Sequence, residues 1–152
     1  MRKLSKYIKR TPLMDIRVKY EAETFRFNLF EELVIDENKL NTELKEQPSY
    51  YGFLGLLLVR LQRTKDDNEA ELSKKEAQLY IAFKTELNPN THRENSNDLA
   101  QALVIADESY QKLLSKLNKI KEDVGIIKQC VSSFEQRSSL LQSISANHRK
   151  TN

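Results

Sequence analysis

The sequence predicts a mainly α protein: a long antiparallel helical hairpin of coiled-coil type, preceded by a short helix and an N-terminal β-hairpin. Three observations carry this. Apolar residues recur every three or four positions from Leu99 to Leu141, with Leu103, Tyr110, Leu117, Val124 and Val131 at heptad position a. Leu99, Ala106, Leu113, Ile120, Ile127, Phe134 and Leu141 occupy d, and Ser138 is the interruption. The composition holds only 3 Gly and 3 Pro with 31% charged residues, which excludes a sandwich or barrel. Two short runs, Leu13 to Tyr20 and Thr24 to Phe30, by contrast alternate apolar and polar residues.

In chain order, Met14, Ile16, Val18 and Tyr20 alternate with Asp15, Arg17 and Lys19, and Phe25, Phe27 and Leu29 alternate with Arg26 and Asn28. Joined by Glu21-Ala22-Glu23, they read as two strands whose aromatic face must lie on the helices, because a lone hairpin is marginal in water. Residues 1–30 are thus a basic arm with a hairpin, and 31–152 the helical hairpin domain. Asp36 caps a short helix from Glu37 to Glu46. Pro48 marks a break and opens a second helix running from Ser49 to about Leu87. Asn88-Pro89-Asn90-Thr91 stops it, and Ser96 or Asn97 caps the heptad helix. Gly52 and Gly55 are expected to allow close helix approach. Ile105, Leu114, Ile126, Leu140 and Ile144 widen the apolar surface of the last helix beyond a two-helix contact, which predicts a homo-oligomer.

Charge is unevenly placed. The net charge is +3, yet the first 20 residues carry seven cations against Asp15 alone. Lys3, Lys6, Lys9 and Arg10 form a basic arm of the kind that neutralises phosphates. Arg60, Arg63, Lys74, Lys75 and Lys84 add cations along the second helix, and Lys112, Lys116 and Lys119 share a face of the last. Tyr50, Tyr51 and Tyr80 stack on bases if exposed, although helical spacing favours a buried role. No stretch is long and apolar enough to span a membrane.

Catalytic constellations are absent from the pattern. His92 and His148 fall in the polar connection and near the C-terminus, apart from any nucleophile. Gly52, Gly55 and Gly125 form no phosphate loop, and Asp66, Asp67, Glu69 and Glu71 lack a Ca2+-loop glycine and read as a solvated face. Cys130 is the single cysteine and reads as a small packing residue. Neither metal nor cofactor is expected, and the chain is not expected to be an enzyme.

The order of signals resembles the UvsY-type recombination mediators of tailed phages. The resemblance lies in Val34 to Leu40, Gln47-Pro48-Ser49-Tyr50-Tyr51, the helix carrying Leu79 to Leu87, Ala106-Asp107-Glu108 opening a terminal helix, Phe134-Glu135-Gln136-Arg137, and Leu140-Leu141. It covers roughly residues 30–150. It implies a ring-like helical oligomer in the host cytoplasm that binds single-stranded DNA and helps a RecA-class recombinase displace the single-strand-binding protein. Lys84 matches one of the family's DNA-contacting residues, whereas Glu86 stands where a second basic residue is expected. The alternative reading is a structural or scaffolding coiled-coil protein of a phage particle; a small regulatory adaptor is a third.

Overall fold

The computed structural model describes residues 11–151. A 3-10 turn over Pro12–Met14 leads into strands β1 (Asp15–Tyr20) and β2 (Glu23–Asn28), followed by helix α1 (Leu29–Leu33). A second 3-10 turn, Glu37–Lys39, runs into helix α2 (Leu40–Thr85); α3 (Asn97–Ala106) and α4 (Glu108–Thr151) complete the chain. The molecule is mainly helical, with the long helices packed against each other and a two-stranded antiparallel sheet at the N-terminal side. Two compact units are distinguished, one comprising the chain up to Leu61 together with Asp123 onward, the other Gln62–Glu122.

In the first unit the alternating segment forms the expected hairpin, with Tyr20 paired to Glu23, Val18 to Phe25 and Ile16 to Phe27. The turn is tighter than the three-residue link expected, because Glu23 already belongs to β2. Glu21 therefore takes a positive φ of 54°, a conformation L-residues adopt at a cost. The inner face of the hairpin supplies Ile16 and Val18 to a core with Leu54, Leu57 and Leu61 of α2 and Ile127, Cys130 and Phe134 of α4. Each buried aliphatic side chain contributes roughly 1.5–3 kcal/mol of transfer free energy, which a solitary hairpin lacks. Phe25 meets Phe53 edge to face, with ring centres 5.4 Å apart.

Several expectations are corrected. Pro48 does not divide the helix; α2 runs through it. Proline lacks the N–H that would bond the Leu44 carbonyl. Tertiary packing outweighs that loss: Gln47, Leu54, Leu61 and Asn68 recur every seven residues and all are buried. Asp36 caps the preceding 3-10 turn by accepting from the Asn38 N–H at 3.0 Å, and α2 begins only at Leu40.

The heptad segment is also not one helix. Asp107 leaves helical geometry with ψ 129°, closing α3 and capping α4. Its Oδ1 accepts the Tyr110 N–H at 3.0 Å and bonds the Ser109 hydroxyl. In α3 it is Ala100 and Val104 that are fully buried, one position on from Leu99 and Leu103. Within the first unit the buried stripe of α4 is Ile127, Cys130, Phe134, Arg137 and Leu141, so the seam uses d and g. Val124 and Val131, at a, are only partly buried against that core. Covering by the hairpin explains the rotation, since a third element enlarges the face that must be apolar.

Finally, Gly52 and Gly55 face open space, with nothing within 4 Å of a Cβ added at either, so neither mediates a close helix contact among the described residues.

The second unit is an antiparallel pairing of α2 with α3 and the start of α4. Tyr80 donates to Asn97 Oδ1 at 3.2 Å, Gln101 to Glu76 at 3.3 Å, and Lys121 pairs with Glu69 at 3.1 Å. Ser96 is the cap of α3, accepting the Leu99 N–H at 3.2 Å. His92 takes a positive φ of 52° in the connection, and Leu87 bridges Glu94.

Candidate nucleic-acid interface

Lys3, Lys6, Lys9 and Arg10 lie outside the described residues. The remaining expected contacts fall in separate units and meet different fates. Arg60 belongs to the first unit, is exposed, and lines a cleft with Tyr20, Glu21 and Glu23. Arg63, Lys74, Lys75 and Lys84 belong to the second.

Within the second unit most lysines are neutralised locally. Lys65 pairs with Asp66 at 3.2 Å, Lys112 with Glu108 at 2.7 Å, Lys116 with Glu71 at 3.8 Å and Lys119 with Glu122 at 3.2 Å. The acidic cluster of α2 is therefore partly an ion-pair partner, and among the described residues no group of acids, histidines and cysteine could hold a metal. Lys75 lies near Asp107, whose carboxyl is held below its usual value chiefly by the Ser109 hydroxyl, then by the Tyr110 N–H, with Lys75 adding a smaller share.

Lys84 is half-buried and has a structural contact. Its Nζ donates to the Asn95 carbonyl at 2.6 Å, while the buried Asn95 amide donates to the Phe83 carbonyl at 2.8 Å. This tie closes the connection between α2 and α3. Two of its three ammonium protons stay available. Arg63 and Lys74 differ from their neighbours: both are exposed and neither enters an ion pair with a described residue. Eleven residues separate them, about three helical turns or about 16 Å, so they share one face of α2.

The sequence pattern did not single out a buried polar clamp at Arg137. Arg137, 5% exposed, donates from Nη1 to Gln47 Oε1 at 2.5 Å, from Nη2 to the Val34 carbonyl at 3.1 Å and to Glu43, and from Nε to the Leu33 carbonyl at 3.3 Å. Gln47 in turn donates to the Phe134 carbonyl at 2.7 Å, and Glu43 Oε1 accepts the Asp36 N–H at 3.2 Å. Glu43 feels desolvation first, which raises its pKa, but the Arg137 hydrogen bond and charge and the Asp36 N–H together leave it lowered. The cluster is closed by its own partners. Its role is to fasten α1, α2 and α4. The available signal was spacing, for Arg137 stands seven residues after Cys130 and seven before Ile144 on the helix that supplies the core.

Tyr50 and Tyr51 are each 41% exposed, and the Tyr50 ring lies 6.0 Å from that of Phe134. Phe53, Leu56 and Val59 form a more exposed apolar ridge on α2, at 47%, 69% and 60%. Ile105 and Leu140 are also exposed, whereas Leu114, Ile126 and Ile144 are half-buried. No helix among the described residues is long and apolar enough to cross a membrane. Comparison with protein-family models, with curated proteins and with solved structures gives no match to this chain.

Proposed function

We propose that the chain is a non-enzymatic, self-associating helical protein that binds single-stranded DNA without base specificity and assists loading of a RecA-class recombinase in place of the single-strand-binding protein. The observation that carries the DNA reading is the pair Arg63 and Lys74, exposed on one face of α2 and outside the ion pairs that neutralise the lysines around them. Two cations per chain bind weakly. Self-association multiplies them, and the ridge of Phe53, Leu56 and Val59 supports it, since exposed contiguous apolar side chains mark interaction surfaces. Binding of this kind is carried by the phosphate backbone and falls steeply with salt.

Fluorescence anisotropy with a labelled oligodeoxythymidylate tests the reading. Binding that weakens with salt and with Arg63→Ala/Lys74→Ala supports it; no binding at low salt overturns it.

The scaffolding alternative is favoured by a different observation, the capture of Lys112, Lys116, Lys119 and Lys121 by acids, which leaves a surface suited to protein neighbours. Mass-resolved sizing with and without oligonucleotide separates the two. An oligomer that takes up no DNA favours the scaffold over the mediator.

A further inference from the structure

We infer that the outer face of the β1–β2 hairpin is a second phosphate-backbone contact, formed by Arg17, Arg26 and Lys19. The antiparallel register places Arg17 directly opposite Arg26, and Lys19 opposite Thr24. All three cations are exposed, and none enters an ion pair with a described residue. Directly opposed side chains on a hairpin lie about 5 Å apart, and like charges in that position oppose folding. Residues two apart on one strand are about 7 Å apart. Three cations with no ion-pair partner among the described residues are thus rooted within about 10 Å of one another on the sheet.

Asp15 is the one acid on this face; Asn28 donates to its Oδ1 at 2.6 Å, its charge remains, and the face sums to three cations against one anion. Glu23 pairs with Tyr20 and so belongs to the opposite face, and Glu21 is in the turn. A cleft of about 380 Å3 opens beside Arg17 and Arg26, bounded by Asp15, Ile16 and Phe27. The inner face has spent its apolar side chains on the core, leaving the outer face with Asp15, Arg17, Lys19, Thr24, Arg26 and Asn28.

That composition selects the ligand class. Protein interfaces centre on aromatic and other apolar anchors together with arginine, and this face offers arginine without the apolar part. A phosphodiester needs only repeated donors and positive charge, which the planar forks of two arginines supply bidentately. The choice of single-stranded DNA as the polymer rests on the function proposed above; the patch itself rests on the hairpin register.

The test compares the full chain with Arg17→Ala/Arg26→Ala and with Arg17→Glu, titrating labelled oligodeoxythymidylate over a salt series and recording thermal midpoints. The alanine pair is expected to weaken binding about tenfold and to reduce the log-log salt slope by about 1.4, at about 0.7 per phosphate contact. Arg17→Glu faces Arg26 with an opposite charge, so its midpoint should equal or exceed that of the parent while its binding falls. Loss of binding at an undiminished midpoint therefore cannot come from unfolding. Unchanged affinity in both variants, with the parent binding normally, overturns the hairpin contact and leaves the proposed function standing. A parent that binds no oligonucleotide overturns both. Variants that lose affinity for phosphatidylserine vesicles but keep it for oligonucleotide assign the face to a membrane surface instead, and binding that falls only in step with the midpoints assigns it to the fold.

Discussion

Arg137 and Gln47 are 90 positions apart in sequence and 2.5 Å apart in the fold, Nη1 to Oε1, with both side chains buried. The same guanidinium also bonds Glu43, one turn before Gln47 on α2, and through the Leu33 and Val34 carbonyls it reaches the end of α1. Val34, Asp36, Gln47, Phe134 and Arg137, far apart in sequence, converge here through these hydrogen bonds.

Removing one member should be severe. Arg137→Met leaves Glu43 without its cation and two carbonyls without donors, and is expected to cost about 3–5 kcal/mol in urea unfolding. Glu43→Gln alone should cost less, and the double variant should fall short of the sum, because a neutral pair strands no charge. Additive effects would disprove the coupling.

The same carboxylate sets an acid limit. The folded-state pKa of Glu43 is lowered from the ordinary 4.5, so its contribution is complete above that value and is lost as pH falls through the folded pKa. Stability should therefore decline below about pH 4.5, with Glu43→Gln showing a shallower decline from that group. Thermal midpoints measured from neutral to acid pH in both proteins decide it.

Asn68 offers a gain. It is 6% exposed; its amide donates to the Thr64 carbonyl at 2.6 Å, but its Oδ1 is buried with no hydrogen-bond partner among the described residues. It occupies the seven-residue series of Leu54 and Leu61, where an asparagine exchanges stability for register. Asn68→Leu is expected to raise stability by about 1–3 kcal/mol, read from the denaturation midpoint. A broader oligomer distribution in the same variant would show what register the asparagine enforces.

Cys130 should be silent in the native state. It is 1% exposed, and burial pushes its thiol up to about 11. Ellman's reagent at pH 8 should titrate it only in denaturant, since the thiolate is the reactive form. Rapid native-state reaction would place the residue at a surface that opens.

The hairpin and the long helices were legible because their signals are local: a two-residue alternation from Met14 to Leu29, a run poor in glycine and proline, a polar stop at Asn88 to Asn90. The same local reasoning erred at Pro48 and Asp107. A proline is read as a break and an unbroken heptad as one helix, because propensity is judged without partners. At Pro48 the packing of Gln47, Leu54 and Leu61 outweighed one missing hydrogen bond, and at Asp107 a side-chain cap compensated a turn of helix given up.

For the candidate sites, positive charge could be counted along the chain, but its availability could not. Whether a lysine is free depends on an acid tens of residues away, as with Lys121 and Glu69, or on a carbonyl in the next connection, as with Lys84 and Asn95. Element type, the hairpin and the basic N-terminal side thus followed from residue order, which acts through neighbouring backbone and side-chain periodicity. The helix boundaries, the d and g seam, the Arg137 clamp and the opposition of Arg17 to Arg26 depended on the tertiary structure, because each is an interaction between segments that only folding brings within a few ångströms.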